Sequence, residues 1–389
     1  MKLKRLPEDF QVDELTTVQP GGGDYALYRL TKKSLGTPEA IDRLISRLKV
    51  QRHRISYGGL KDKHAVTTQY VTIRFGPRQG GRFAPIELDY LGQVDRAFTP
   101  QFITGNRFRI VLRDLSAAAL EKARHALHEV AASGFPNYFD DQRFGSLGAS
   151  GEFVAQAWCR GDYERALWLA LADHHPDDRR EERDQKALLR EHWGRWRDCK
   201  AALERSHRRS IVTYLADKPP ENPDYRGAFS RLKIDLRGLY LSAFQSHLWN
   251  QLLARLLTEV VPAEQRFDVS LRTGNVPFLR TLEPHQAAVL QEAELPLPSA
   301  RLHLPPGPEL DRIEQVVQQH GLELRELRVK HPRDSFFSKG SRKALISVGH
   351  LEHEAAPDDL YPGRHKLALG FDLPRGSYAT MLVKRITEC

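Results

Sequence analysis

No apolar run in the sequence approaches the roughly 20 residues needed to span a bilayer. The opening Met1-Lys2-Leu3-Lys4-Arg5-Leu6-Pro7 has no apolar core of a signal peptide, so a cytoplasmic protein is expected. Cysteine is scarce. Cys159, Cys199 and Cys389 are widely spaced, odd in number and free of any Cys-x-x-Cys pairing, which argues against a disulfide framework and a cysteine zinc site. There is no His-Glu-x-x-His, and His350-Leu351-Glu352-His353 has no third ligand nearby in sequence, so no metal site is expected. Gly145-x-x-Gly148-x-x-Gly151 is neither a Rossmann fingerprint nor a P-loop, and no nucleotide cofactor is implied. Internal repeats and low-complexity tracts are also missing.

What is there is an ordinary globular composition, 40% apolar with 23 prolines and 27 glycines, in 389 residues, long enough for two domains. The net charge is +9, and a basic chain of this size commonly meets a polyanion.

The chain is organised around Ser56-Tyr57-Gly58-Gly59-Leu60-Lys61-Asp62-Lys63-His64-Ala65. A glycine-led turn there joins apparent strands at 54–57 and 69–74. Asp62 is either a solvated turn acid or a carboxylate kept ionised by Lys61 and Lys63, with the two glycines admitting another chain. An ionised carboxylate in a cleft serves as a nucleophile or a general base.

Around this turn the patterns are local. Phe10 and Val12 alternate as in a half-buried strand, and 25–30 reads as a second strand pairing with the first. Thr37-Pro38-Glu39 reads as a helix start with Thr37 as capping hydroxyl, followed by a buried stripe of Ile41, Leu44, Ile45 and Leu48. In Gly105–Arg113, Phe108, Ile110 and Leu112 share one face. Arg107, Arg109 and Arg113 share the other, either solvated or lining a phosphate path. Ser116 caps a helix that Gly134 and Pro136 stop.

Phe135 to Gly145 is dense in aromatics and amides. Its rings are either buried anchors or a stacking platform, with Asn137 or Gln142 bonding a base edge. From 177 to 209 both charge signs alternate, as on exposed helices laced with ion pairs. Residues 239–257 read as a helix with Gln245, Ser246, His247 and Asn250 on its polar part. The run Arg328–Lys343, with six cations and one acid, resembles a phosphate-binding loop.

Together these stretches resemble the TruD family of tRNA pseudouridine synthases, which isomerise uridine 13 of tRNA. The matching pieces are Lys4 with Pro7-Glu8-Asp9-Phe10-x-Val12-x-Glu14, Gly59-Leu60-Lys61-Asp62-Lys63-His64-Ala65-Val66-Thr67 and Gly105-Asn106-Arg107-Phe108. After them come Asn137-Tyr138-Phe139-x-x-Gln142-Arg143-Phe144-Gly145, Leu241-Ser242-Ala243-Phe244-Gln245-Ser246 and Leu373-Pro374-x-Gly376-Ser377-Tyr378-Ala379-Thr380.

The resemblance implies an α+β fold: a catalytic domain with a mostly antiparallel sheet flanked by helices, residues 1–151 with 339–389, interrupted by an inserted α/β domain at 152–338. It implies Asp62 as the catalytic aspartate, Lys4 as the basic residue near it, Phe139 as the ring packing on the target uracil, and Asn137 as a residue positioning that loop or the aspartate. Lys61, Lys63, Arg107, Arg109, Arg143, Lys330, Arg333, Lys339, Arg342 and Lys343 are the candidate RNA contacts. The expected partner is tRNA, with no membrane, no cofactor and a monomer favoured.

Two departures from the family pattern stand out. Asp140 follows the Asn-aromatic-Phe triplet where Gly is common and is expected to point away from RNA, and the insert is longer than in compact members. A reading of another class is a tRNA-binding folding chaperone acting through the basic surface. A methyltransferase or metal nuclease lacks its motif.

Overall fold

Alternating burial carries the first strands. The computed structural model describes residues 1–388, and Cys389 lies outside them. Strand β1 is Phe10–Thr16, β2 is Tyr25–Lys33, α1 is Thr37–Leu48, β3 is Ile55–Tyr57, β4 is Val66–Arg74, β5 is Gly81–Phe83, β6 is Ile86–Val94, β7 is Ile103–Leu115 and α2 is Ala117–Ser133. With Gly349–Pro357 and His365–Pro374 they build a nine-stranded sheet. Its order is 349–357, 365–374, β7, β1, β4, β2, β6, β5, with β3 pairing on β4. Only β1 and β4 run parallel, so the sheet is mixed and mostly antiparallel. The fold is α+β.

The expected pairing of the first two strands does not form, because β4 lies between them. Thr67 sits opposite Val12 of β1 and Lys32 of β2. Strand β4 is buried along most of its length, with Thr67, Gln69, Val71, Thr72 and Ile73 fully covered, so its backbone needs partners on both edges. The Asp62 turn therefore feeds into the middle of the sheet.

Helix α1 packs Ala40, Ile41 and Leu44 onto Ala26, Tyr28, Leu30, Val71 and Ile73, with Ile45 and Leu48 at the margin. Its cap differs from expectation. Gly36 is the N-cap, and the Glu39 carboxylate accepts from the Gly36 N–H at 3.0 Å. Thr37 lies one residue inside the helix, and its hydroxyl faces the core. Ser116 does cap α2, accepting from the Ala119 N–H at 3.1 Å. Phe108 stacks on Phe371 of the neighbouring strand, with ring centres 5.4 Å apart.

Arg113 departs from its two strand neighbours. Its guanidinium is buried and ion-paired to Asp9 at 2.9 Å, Asp358 at 3.1 Å and Asp359 at 3.0 Å. Three carboxylates converging on one position draw the guanidinium inward, leaving Arg107 and Arg109 exposed.

By packing, the chain divides into two compact units, Met1–Phe135 with Ile346–Cys389, and Pro136–Leu345. The second is mainly helical, with the hairpin Arg266–Leu271/Gly274–Leu279 and a short strand pair, Glu294–Pro296 with Ser341–Lys343. Its spine is the helix Ile234–Val260. Gln245, Ser246, His247 and Asn250 are buried there rather than solvated. Gln245 explains its own burial, since its amide donates to the carbonyls of Pro298 (3.0 Å) and Ser338 (2.9 Å) and accepts from the Ser338 N–H at 3.2 Å. The charged stretch forms Arg180–His192, Trp196–Ala202 and His207–Ala216, laced by Lys186–Asp178 at 2.8 Å and Arg208–Glu182.

Candidate active site

The turn Gly58–Ala65 leaves β3 and returns as β4. Gly58 has a packing reason: a Cβ there would meet Ile103 Cδ1 at 2.5 Å. A Cβ on Gly59 would meet nothing within 4 Å, so of the two glycines only Gly59 leaves open space. Leu60 beside it is 70% exposed, an apolar side chain that the core does not use.

Asp62 is 39% exposed in its side chain and bound by Lys4, whose Nζ lies 2.8 Å from Oδ2. The cation that meets the carboxylate is thus Lys4, not the flanking lysines. Lys4 is delivered by a firmly held segment. Lys2 and Arg113 exchange backbone hydrogen bonds of 2.8 and 2.9 Å, the Asp9 carboxylate accepts from the Leu6 N–H at 2.9 Å, and Arg113 anchors Asp9. Lys4 itself has φ 56°, a left-handed backbone that costs a non-glycine residue roughly 1–2 kcal/mol. Its ammonium also sits 3.9 Å from the Phe10 ring centre. A partly exposed ion pair contributes little stability, about 0–1 kcal/mol. Its consequence is local, because it sets a cation against one oxygen of the Asp62 carboxylate.

The flanking lysines have other partners. Lys61 pairs with Glu14 at 2.9 Å, with side chains 10% and 0% exposed, and donates to Asn106 Oδ1 at 2.7 Å. Glu14 also accepts from the Tyr70 N–H at 3.0 Å. Lys63 reaches out to Glu39 at 3.0 Å. Behind the turn, Thr37 Oγ1 accepts from the Lys61 N–H (3.0 Å) and donates to Gln69 Oε1 (2.8 Å), while the Gln69 amide donates to Gly59 O (3.2 Å). Lys32, from β2, donates to Asp62 O at 2.8 Å.

In the second unit, Asn137 and Phe139 form one cluster with Arg342. Asn137 is buried, its amide donating to Lys343 O at 2.9 Å and its Oδ1 accepting from Arg342 Nη2 at 2.7 Å. The Phe139 backbone is held from both sides by Asn250, which accepts from its N–H and donates to its carbonyl, each at 2.9 Å. The Phe139 ring is only 5% exposed. The Arg342 guanidinium lies 4.0 Å and that of Arg143 5.2 Å from its centre, and Trp249 meets it edge-on at 5.6 Å. A base that stacks on Phe139 has to displace Arg342 from the position it holds. Tyr138 and Phe144 are fully buried anchors, and Asp140 is buried as well.

Among the remaining candidate contacts, Arg107 is exposed but bridged to Asp372 at 2.8 Å. Arg109, Lys330, Arg333, Lys339 and Lys343 are exposed. Among the described residues no three His, Cys, Asp or Glu side chains are grouped as metal ligands, and no helix is long and apolar enough to cross a membrane.

The family model of tRNA pseudouridine synthase D (TruD) matches residues 1–386. The chain belongs to the TruD family. It is 29% identical over 394 residues to "Probable tRNA pseudouridine synthase D 1" of Methanococcus maripaludis, covering 99% of each. It is also 29% identical to "tRNA pseudouridine synthase D" of Leptospira interrogans, covering 99% of this chain and 95% of that one. A crystal structure of a Methanosarcina mazei protein described as TruD superposes with TM-score 0.76 at 26% identity, covering 100% of this chain and 93% of that one.

In this TruD chain, sequence reasoning placed Lys4 near Asp62, but it did not set Arg342 beside Asn137 and it missed Lys32, Glu14, Trp249 and Asn250. Glu14 and Asn250 stood inside or beside the quoted motifs. Lys32 carried no signal, since a lysine at a strand end reads as solvated.

Proposed function

We propose that this chain converts uridine 13 of tRNA to pseudouridine, acting in the cytoplasm, with Asp62 as its catalytic carboxylate. The Lys4–Asp62 pair carries this reading, because it is a half-open carboxylate held beside a cation in a turn rooted at the centre of the sheet. The isomerisation breaks the N1–C1′ bond, turns the base and joins C5 to C1′. The C5 proton leaves and N1 gains one, so the substrate and product have the same composition and no redox partner is needed. Asp62 supplies the group that attacks the base or sugar, or that stabilises the sugar and takes the C5 proton. The uridine is flipped from its stack, at a cost of a few kcal/mol.

Phe139 packs on the flipped uracil once Arg342 yields, and Asn137 holds the loop that presents it. The catalytic domain on this reading remains residues 1–151 with 339–389, and 152–338 is the insert. Arg109, Lys330, Arg333, Lys339 and Lys343 approach phosphates, with Lys63, Arg107 and Arg143 joining when their present partners release them.

The test is release of tritium from C5-labelled uridine in a tRNA transcript by wild type and Asp62→Asn, with the product mapped by carbodiimide-blocked primer extension. Release by wild type alone, with one stop at position 13, is expected. Wild-type rates in Asp62→Asn would refute the role of Asp62, and a stop elsewhere would refute the position.

A further inference from the structure

Lys32 is fully buried, and none of the carboxylates ion-paired among the described residues is its partner. Its ammonium donates to three backbone carbonyls instead: Leu35 at 2.6 Å, Asp62 at 2.8 Å and Lys61 at 3.3 Å. Two of these belong to the turn that carries Asp62, and the third closes the β2–α1 connection. An unpaired buried charge is expensive, and a fold that needed only to fill this space would place an apolar side chain there.

The charged groups around it are Asp62 and Lys61 on the turn and Glu39 on α1, with Lys4 against Asp62. The neighbouring strands set Thr67 of β4 and Ile86 of β6 opposite it, neither of them charged. Thr37 and Gln69 hold Lys61 and Gly59 from the same side.

We propose that Lys32 is a positioning residue for Asp62, its protonated amine pulling the 61–62 peptides onto the sheet so that the carboxylate is presented at one depth beside Lys4. This rests on Asp62 being the catalytic carboxylate. Holding a reacting group in place is a large term in catalysis, and a displacement of about 1 Å costs up to roughly a hundredfold in rate. The device also titrates. Burial pushes the Lys32 ammonium down to about 8, with Asp62 opposing the shift and Lys61 adding to it. Below that pH the amine carries three protons for three carbonyls. Above it the charge and one donor are lost, and the turn loosens.

The experiment is single-turnover pseudouridine formation in a tRNA transcript across about pH 6.5 to 9.5, with tRNA affinity measured in parallel, for wild type, Lys32→Met, Thr37→Val and Asp62→Asn. In wild type the rate is expected to fall above about pH 8. In Lys32→Met it is expected to be lower by roughly ten- to a hundredfold, with affinity unchanged and the alkaline fall absent. Thr37→Val, which removes a hydrogen bond to the same turn but keeps the ammonium, is expected to be slower and to retain the fall.

An alkaline fall that persists in Lys32→Met, a wild-type rate in that variant, or a loss confined to tRNA affinity overturns the proposal. Should Lys32→Met fail to fold, a wild-type rate that stays level up to about pH 9.5 overturns it equally. An active Asp62→Asn would instead remove the reading of Asp62, so the two failures are distinguishable.

Discussion

Replacing Lys61 by methionine separates a structural lysine from an RNA contact. The Lys61 side chain is 10% exposed and that of its partner Glu14 is fully covered. In Lys61→Met, Glu14 keeps one neutral donor, the Tyr70 N–H, and loses its counter-charge. Removing one partner of a buried pair costs about 3–5 kcal/mol, because the remaining charge is left uncompensated. For a domain of 150–250 residues each kcal/mol moves Tm by about 2–4 °C, so a drop of roughly 6–20 °C is expected. Glu14→Gln should lose less, since an amide tolerates burial better than an unpaired carboxylate. The double variant Glu14→Gln/Lys61→Met should recover part of the loss, and the cycle gives the coupling directly. The assay is urea or thermal unfolding, paired with tRNA affinity against salt. A Tm within about 2 °C of wild type, together with a salt slope lowered by about 0.7–0.9, would refute the buried-pair reasoning and return Lys61 to the phosphate contacts.

Neutralising the exposed Lys330 and Lys339 together should flatten the dependence of log affinity for tRNA on log salt by about 0.7–0.9 per contact, and an unchanged slope would assign both to solvated surface. Burial and the neighbouring His320 push His247 down to about 4. The unfolded chain therefore takes up this proton first as pH falls, and about 3 kcal/mol of stability should be lost between about pH 6.5 and 4. His247→Phe, which keeps the stacking on Phe153, should remove that part of the acid slope in urea midpoints; an identical slope would refute it. Burial pushes the Cys159 thiol up to about 12 and that of Cys199 up to about 11, so peptide mapping after a short alkylation at pH 8 should find both unmodified in the native protein.

What was legible in the sequence was whatever follows from local periodicity and local chemistry. Ser116 announces a cap because its hydroxyl needs only a donor three residues on, and α1 declares itself through Ile41 and Leu44. The pairing of β1 with β4 was not legible, because β4 arrives more than fifty residues later and nothing in Phe10–Thr16 distinguishes one neighbour from another. Thr37 misled for a related reason. A hydroxyl before Pro-Glu has the composition of a cap, yet a tertiary partner, Gln69 of β4, outbid the helix end and left capping to Gly36 and Glu39.

The candidate site divides along the same line. Lys4 could be set beside Asp62 through the family motif alone. The structure supplies the physical cause, in the Lys2–Arg113 bridge and the Arg113–Asp9 pair that fix the segment. The four lysines around the turn show why sequence proximity is a poor guide to electrostatics. Lys61 adjoins Asp62 in sequence but neutralises Glu14, and Lys63 neutralises Glu39. Lys32, thirty residues away, holds the Asp62 backbone while Lys4 holds its carboxylate. One residue is thus held at its peptide by Lys32 and at its carboxylate by Lys4, two cations that come from different segments of the chain.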